Sequence, residues 1–220
     1  MDRMMQRTSR RATATGAAPY NQALMVALVL VMIGLISLYS SAHWIAVVCA
    51  LLGWILYAGV YTSLKPRSVY ATLVGSVPGA IPPVVGYTAV YGRVDIVTIM
   101  LFIMLITWQM VHFYAIAIRC RHDYQKAKIP VYSIVYGIPA TVQAMRIYGL
   151  LYSTCAILLA GILSLSSVWL VLIVIVHLGL LYVLFGSSSR SSEWAKRTFV
   201  ISITGLTLWC VVTTVAVALG

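Results

Sequence analysis

Two carboxylates stand among bases in the polar stretches of this chain. Asp2 sits with Arg3, Arg7 and Arg11, and Asp123 with Arg119, Arg121, Lys126 and Lys128. Lys65 and Arg67 add a further basic point. Carboxylates are hard oxygen ligands for Mg²⁺, and Mg²⁺ commonly sits between one or two carboxylates and the phosphates of a substrate. Lys and Arg can clamp the remaining phosphate oxygens. The pattern therefore suits a diphosphate site at a membrane surface. Basic loops that only set topology and touch anionic headgroups would read the same way, and both readings stand at this point. A third candidate is His112. With Trp108, Ala115 and Arg119 it falls at helical spacing on one face. From His112 to Arg119 the helix would rise about 10 Å, so the imidazole lies about two turns inside an apolar run. An ionisable side chain there is a functional candidate or an interhelical hydrogen bonder. His177 and His43 receive no role.

The elements that must position these groups are apolar helices. Of 220 residues, 62% are hydrophobic and only 9% charged, and the mean hydropathy is +0.98. A soluble domain carries about 25% charged residues. The composition excludes an ordinary soluble globule, a disordered chain and a disulfide-rich module, and no alternating segments of an outer-membrane barrel are visible. An all-α polytopic membrane protein follows, with about seven transmembrane helices in a single bundle and one domain. The apolar runs are 22–39, 43–62, 68–91, 95–118, 147–163, 168–186 and 198–219. Only residues 164–167 separate the fifth run from the sixth, which predicts a tight helical hairpin.

The net charge of +11 invites a nucleic-acid partner, but the bases fall in short gaps between apolar runs, where topology explains them. With the N-terminal segment in the cytoplasm, 14 of the 15 Lys and Arg residues lie on that side and Arg93 alone on the other. Seven spans then put the C-terminus outside. The four cysteines, Cys49, Cys120, Cys155 and Cys210, show no pairing or metal-ligand spacing. The N-terminus lacks the features of a cleavable signal peptide. The third run holds Gly75, Pro78, Gly79, Pro82, Pro83 and Gly86. It reads either as a kinked helix with close glycine contacts or as the wall of a cavity, where broken helices are tolerated in a bilayer.

Several ordered blocks resemble a known family. The run from Tyr61 to Lys65, followed by the stretch from Gly75 to Tyr87 with its Gly and Pro residues, is similar to the central signature of the protoheme IX farnesyltransferase (haem O synthase) family. The run from Trp108 to Ala117, then Asp123, Tyr124, Ala127 and Pro130, resembles its second signature, and the opening from Asp2 to Arg11 resembles the tail of its first Asp-rich motif. The stretch from Trp194 to Phe199 resembles a cytoplasmic segment before the last helix. The family belongs to the intramembrane aromatic prenyltransferase superfamily, whose all-helical members have nine spans and an active site open to the cytoplasm.

The resemblance implies transfer of a farnesyl group from farnesyl diphosphate to a vinyl group of haem B, with Mg²⁺ assisting departure of the diphosphate. It implies that Asp2 and Asp123 ligate the metal. Arg7, Arg11, Lys65 and Lys126 are then candidates for the diphosphate oxygens. Trp108, Phe113, Tyr114 and Tyr124 are candidates to shield an allyl cation, and His112 to face the haem. Further implied partners are the lipid bilayer of the cell inner (plasma) membrane and terminal-oxidase assembly proteins, with no nucleic acid.

This sequence departs from the pattern in places. The chain starts directly before Asp2, so it is expected to lack the first two spans and half of the first motif. Removing two spans preserves the orientation. Val111 stands where the family has Pro, Pro66 follows Lys65 where a second base is usual, and Val131 and Tyr132 replace a small apolar run. Three other readings compete. An intramembrane prenyltransferase acting on a quinone precursor is disfavoured by the block from Trp108 to Phe113. A transporter is disfavoured by polar groups gathered at one face rather than near the midplane. An inactive truncated remnant is the third.

Overall fold

The computed structural model describes residues 8–186 and 192–219. The described residues are almost entirely helical. Seven helices are long and apolar enough to cross a membrane: α1 (Tyr20–Ser41), α2 (Trp44–Leu64), α3 (Ala71–Tyr91), α4 (Ile96–Arg119), α5 (Gly137–Ile162), α6 (Ser167–Phe185) and α7 (Ser192–Leu219). The all-α polytopic reading thus agrees with the structure.

The helix starts explain two differences from the apolar runs. α5 begins ten residues before the run at 147. Pro139 occupies its first turn, where a missing N–H costs nothing. Arg146 does not interrupt it, because its Nε donates to the Leu184 carbonyl at 3.0 Å and its guanidinium lies over the Phe185 ring. A cation at the carbonyl end of α6 also complements that helix's dipole. α7 begins six residues before the run at 198. Its buried Trp194 donates from Nε1 to the Val183 carbonyl at 2.8 Å, which draws this amphipathic turn into the bundle.

α4 is the hub. It packs against α3, α5 and α7, and α6 closes a four-helix ring by packing on both α5 and α7. Met104, Met110, Met145, Tyr152, Leu159, Ile173, Leu180 and Leu184 fill the middle of this ring with no more than 1% of their surface exposed. α3, α2 and α1 extend as an arm from α4, and α1 buries none of its residues. The start of α4 is fixed locally. Asp95 Oδ1 accepts from the Val97 and Thr98 N–H groups, and Thr98 Oγ1 accepts from the Asp95 N–H, a reciprocal cap. Hydrogen bonds led by the Tyr87 hydroxyl hold the Asp95 carboxyl down at about 2. At the same end Gly92, with φ of +64°, closes α3 by donating to the Thr88 carbonyl. A side chain there would meet the His43 ring.

α3 remains helical through Pro78, Pro82 and Pro83. Its glycines make the close contacts. Buried Gln109 of α4 donates from Nε2 to the Ser76 and Leu105 carbonyls, and its carboxamide lies where a Cβ on Gly79 would be. A Cβ on Gly75 would come within 2.6 Å of the Tyr61 ring. Gly79→Ala is therefore expected to cost about 1–3 kcal/mol of stability by overpacking. Gly86→Ala, where no atom lies within 4 Å, should be silent. Melting of both variants in detergent checks this; an unshifted Gly79→Ala would contradict the packing described.

Candidate active site

At one end of the bundle α2, α3 and α4 diverge around a cavity of about 260 Å³. α2 supplies Tyr57, Tyr61 and Lys65, which follow one another at i, i+4 and i+8 and so share a face. Residues Leu56–Tyr61 form a π-helical stretch. The hydroxyls of Thr62 and Ser63 bond back to the Tyr57 and Gly59 carbonyls, which keeps this wider turn satisfied. Such insertions are frequent at functional sites. α3 contributes Thr72 and Gly75, so this helix is both a packing helix and a cavity wall. α4 contributes Phe113, Ile116 and Ala117, which make the wall beneath apolar.

The lid of the cavity comes from the segment joining α4 to α5. A short helix, Arg121–Lys126, carries Asp123 and Tyr124. Tyr124 and Val131 line the cavity directly. Lys128 adopts φ of +53°, and the following Ile129 N–H donates to the Tyr124 carbonyl. This reverses the chain and drops Ile129 and Val131 into a small buried cluster with Ala117 and Ala127. Arg11, from the segment before α1, completes the mouth.

The arrangement is amphipathic. Two cations, Arg11 and Lys65, and the phenols of Tyr57, Tyr61 and Tyr124 line the cavity together with the apolar side chains of Phe113, Ile116, Ala117 and Val131. An anionic head with an apolar tail matches that division, and aromatic faces near the head can stabilise a developing cation. The bases at this end also include Arg67, Arg119, Arg121, Lys126 and Lys128; Arg93 lies at the other.

The structure brings together only part of the residue set expected from sequence. Lys65, Arg11 and Tyr124 line the cavity, and Phe113 joins them. Asp123 adjoins Tyr124 and is half-buried, while Lys126 is exposed at the end of the same turn. Asp2 and Arg7 lie outside the described residues.

Trp108 and His112 are not brought to this cavity, because they occupy the face of α4 that packs on α7. The His112 Nδ1 lies 3.0 Å from Ser202 Oγ, and the ring sits between Trp108 and Phe199. Trp108 Nε1 donates to the Ser202 carbonyl at 2.7 Å. The Ser202 hydroxyl already donates to the Phe199 carbonyl, so His112 must donate from Nδ1 and carry its lone pair on Nε2. Tyr114 is buried against Tyr132 and Tyr148 rather than in the cavity. Tyr57, Tyr61 and Thr72 received no role from sequence, although the i, i+4, i+8 spacing of Tyr57, Tyr61 and Lys65 is legible there.

A divalent cation fits this mouth by its chemistry. Among the described residues no cluster of three or more His, Cys, Asp or Glu side chains occurs. A Mg²⁺ held by substrate phosphates needs only one or two carboxylates, and Asp123 is a carboxylate beside the cavity's cationic rim.

Comparison with known proteins agrees with this architecture. The sequence pattern of the UbiA prenyltransferase family matches residues 1–211. The chain is 36% identical over 216 residues to a protoheme IX farnesyltransferase of Protochlamydia amoebophila (strain UWE25), covering 94% of this chain and 76% of that protein. It is 37% identical over 215 residues to the Aliivibrio salmonicida (strain LFI1238) protein of the same name, covering 96% and 74%. A Yersinia pseudotuberculosis protoheme IX farnesyltransferase is 36% identical over 219 residues, covering 94% and 71%. No solved structure matches. Seven apolar helices, an amphipathic cavity rimmed by bases and a match over nearly the whole chain converge: this multi-pass membrane protein is an enzyme of the UbiA prenyltransferase family.

Proposed function

We propose that the chain transfers a farnesyl group from farnesyl diphosphate to the vinyl group of haem B, giving haem O. The observation that carries the reading is the amphipathic cavity, with Lys65 and Arg11 at its mouth and Phe113, Ile116 and Gly75 below. Its relatives named protoheme IX farnesyltransferase support the choice of both substrates.

In this reading Lys65 and Arg11 bind the diphosphate oxygens by charge-assisted hydrogen bonds. Lys126, exposed at the end of the Asp123 turn, would add to this charge, and Arg7, outside the described residues, is a further candidate from the sequence. Asp123 and Asp2 are the residues that would hold Mg²⁺, which when bound neutralises charge on the departing diphosphate. The C1–O bond of the farnesyl group breaks and the diphosphate leaves with the electron pair. The terminal vinyl carbon of haem supplies the pair that forms the new C–C bond. Water adds to the adjacent carbon and loses a proton, which leaves a hydroxyethylfarnesyl group. Tyr57, Tyr61, Phe113 and Tyr124 surround the allylic carbon with ring faces and keep water from it until the new bond forms.

His112 and Trp108 would serve the haem-facing side from the α4–α7 seam. Bases gathered at one end favour a cytoplasmic active site in the cell inner membrane. Proteins that assemble terminal oxidases are the natural recipients of the product.

The purified chain in liposomes, given farnesyl diphosphate, Mg²⁺ and either haem B or 4-hydroxybenzoate, tests the reading. Farnesylated haem is expected, and chelation of the metal should stop its formation. Prenylation of the quinone precursor instead would overturn the choice of acceptor.

A further inference from the structure

The segment between α4 and α5 carries Asp123 and, next to it, the cavity-lining Tyr124, yet it contains only two short helical pieces, Arg121–Lys126 and Tyr132–Val135. A helix of six residues is not stable alone. Its placement depends on what ties it to the spanning helices.

One residue bonds both to a spanning helix and to the short helix. Ser133 has no exposed surface. Its hydroxyl donates to the Ala117 carbonyl at 2.8 Å. Ala117 lies in the last turn of α4, where carbonyls run out of intrahelical partners. The Cys120 N–H, which closes that turn, bonds to Ile116 and Ile118 and leaves the Ala117 carbonyl to Ser133. The Ser133 carbonyl in turn accepts from Arg121 Nε at 3.3 Å. A single buried residue therefore joins the cavity wall, at Ala117, to the first residue of the helix that carries Asp123. Around it Ala127, Ile129 and Val131 exclude water, which makes the loss of a partner costly.

We infer that Ser133 is the positioning residue for the metal- and diphosphate-facing segment, holding Asp123 and Tyr124 over the cavity through Ala117 and Arg121. This rests on the function proposed above, in which Asp123 serves the diphosphate. Ser133 itself touches neither substrate nor metal. It acts by keeping the 121–126 helix in one place, so that the site need not order that segment each time substrate binds.

The full chain in liposomes, with Ser133→Ala, Ser133→Thr and Arg121→Gln, tests this. Ser133→Ala should raise the half-saturating Mg²⁺ concentration and the KM for farnesyl diphosphate about five- to tenfold, the equivalent of one buried hydrogen bond. The KM for haem should stay within twofold. Ser133→Thr keeps the hydroxyl and should restore both values. Arg121→Gln cuts the other tie and should shift them in the same direction. Amide hydrogen exchange should accelerate across residues 121–131 in Ser133→Ala, with α4 and α5 unchanged.

Unaltered exchange in that segment would overturn the inference, as would equal weakening of haem and farnesyl diphosphate. So would a Ser133→Ala chain that fails to fold while Arg121→Gln folds with unchanged metal and diphosphate constants. If the parent chain forms no farnesylated haem, the proposed function fails, and the exchange comparison still decides whether Ser133 holds the segment.

Discussion

Asp123→Asn is expected to lower farnesyl transfer by about 100- to 1000-fold while the protein still inserts and folds. The carboxamide keeps the size of the side chain, and among the described residues no hydrogen bond depends on the Asp123 carboxylate: its backbone carbonyl, which accepts from the Ala127 N–H, holds the short helix. What is lost is the negative charge. A neutral amide is a poor ligand for a hard divalent cation, and without the cation the further negative charge that develops on the already anionic diphosphate as it leaves would have only Lys65, Arg11 and their neighbours to meet it. Single-turnover rates of the wild type and variant at saturating Mg²⁺, with membrane yield measured in parallel, decide the matter. A variant within threefold of the wild type would remove Asp123 from the site.

Lys65→Ala should act on binding first. The ammonium sits at the end of α2, half-buried and lining the same cavity as Arg11 and Tyr124. A hydrogen bond to a charged group is worth about 1.5–3 kcal/mol, so the KM for farnesyl diphosphate should rise about 10- to 100-fold. The KM for haem should not move. Lys65→Arg should recover part of the loss, since the charge returns with a different geometry. An unchanged KM together with an unchanged kcat in Lys65→Ala would show that the diphosphate binds elsewhere. A large loss of kcat at unchanged KM would make Lys65 a group that acts only in the transition state.

The helices were legible because nothing but long apolar runs could fill so much of the chain. Their ends were less so. Arg146 looks like loop by charge, but it reaches the carbonyl end of α6, and a sequence window cannot see that partner. Trp194 anchors the first turn of α7 through Val183 in the same non-local way. The prolines of α3 suggested a break, yet the helix continues because neighbouring helices pack tightly against its glycine face.

For the site, the face formed by Tyr61 and Lys65 was readable from spacing, and so was the pairing of Asp123 with bases. The π-helical stretch from Leu56 to Tyr61 left no mark in the sequence. The direction of α4 about its axis did not either. Trp108 and His112 share a face, as their spacing requires, but Phe199 and Ser202 of α7 cover that face, so Phe113 and Ile116 turn toward the cavity instead. Periodicity identifies a face; only packing says what the face meets.

Haem O formation by this chain is the property from which every role assigned above follows. The most direct test expresses the chain in a host lacking its own haem O synthase and separates the extracted haems by chromatography with mass detection. A haem in which one vinyl group of haem B has become a hydroxyethylfarnesyl group, lost or at least 100-fold weaker with Asp123→Asn, is the expected result. Haem B alone, from membranes in which the folded chain is demonstrably present and supplied with farnesyl diphosphate, would contradict it.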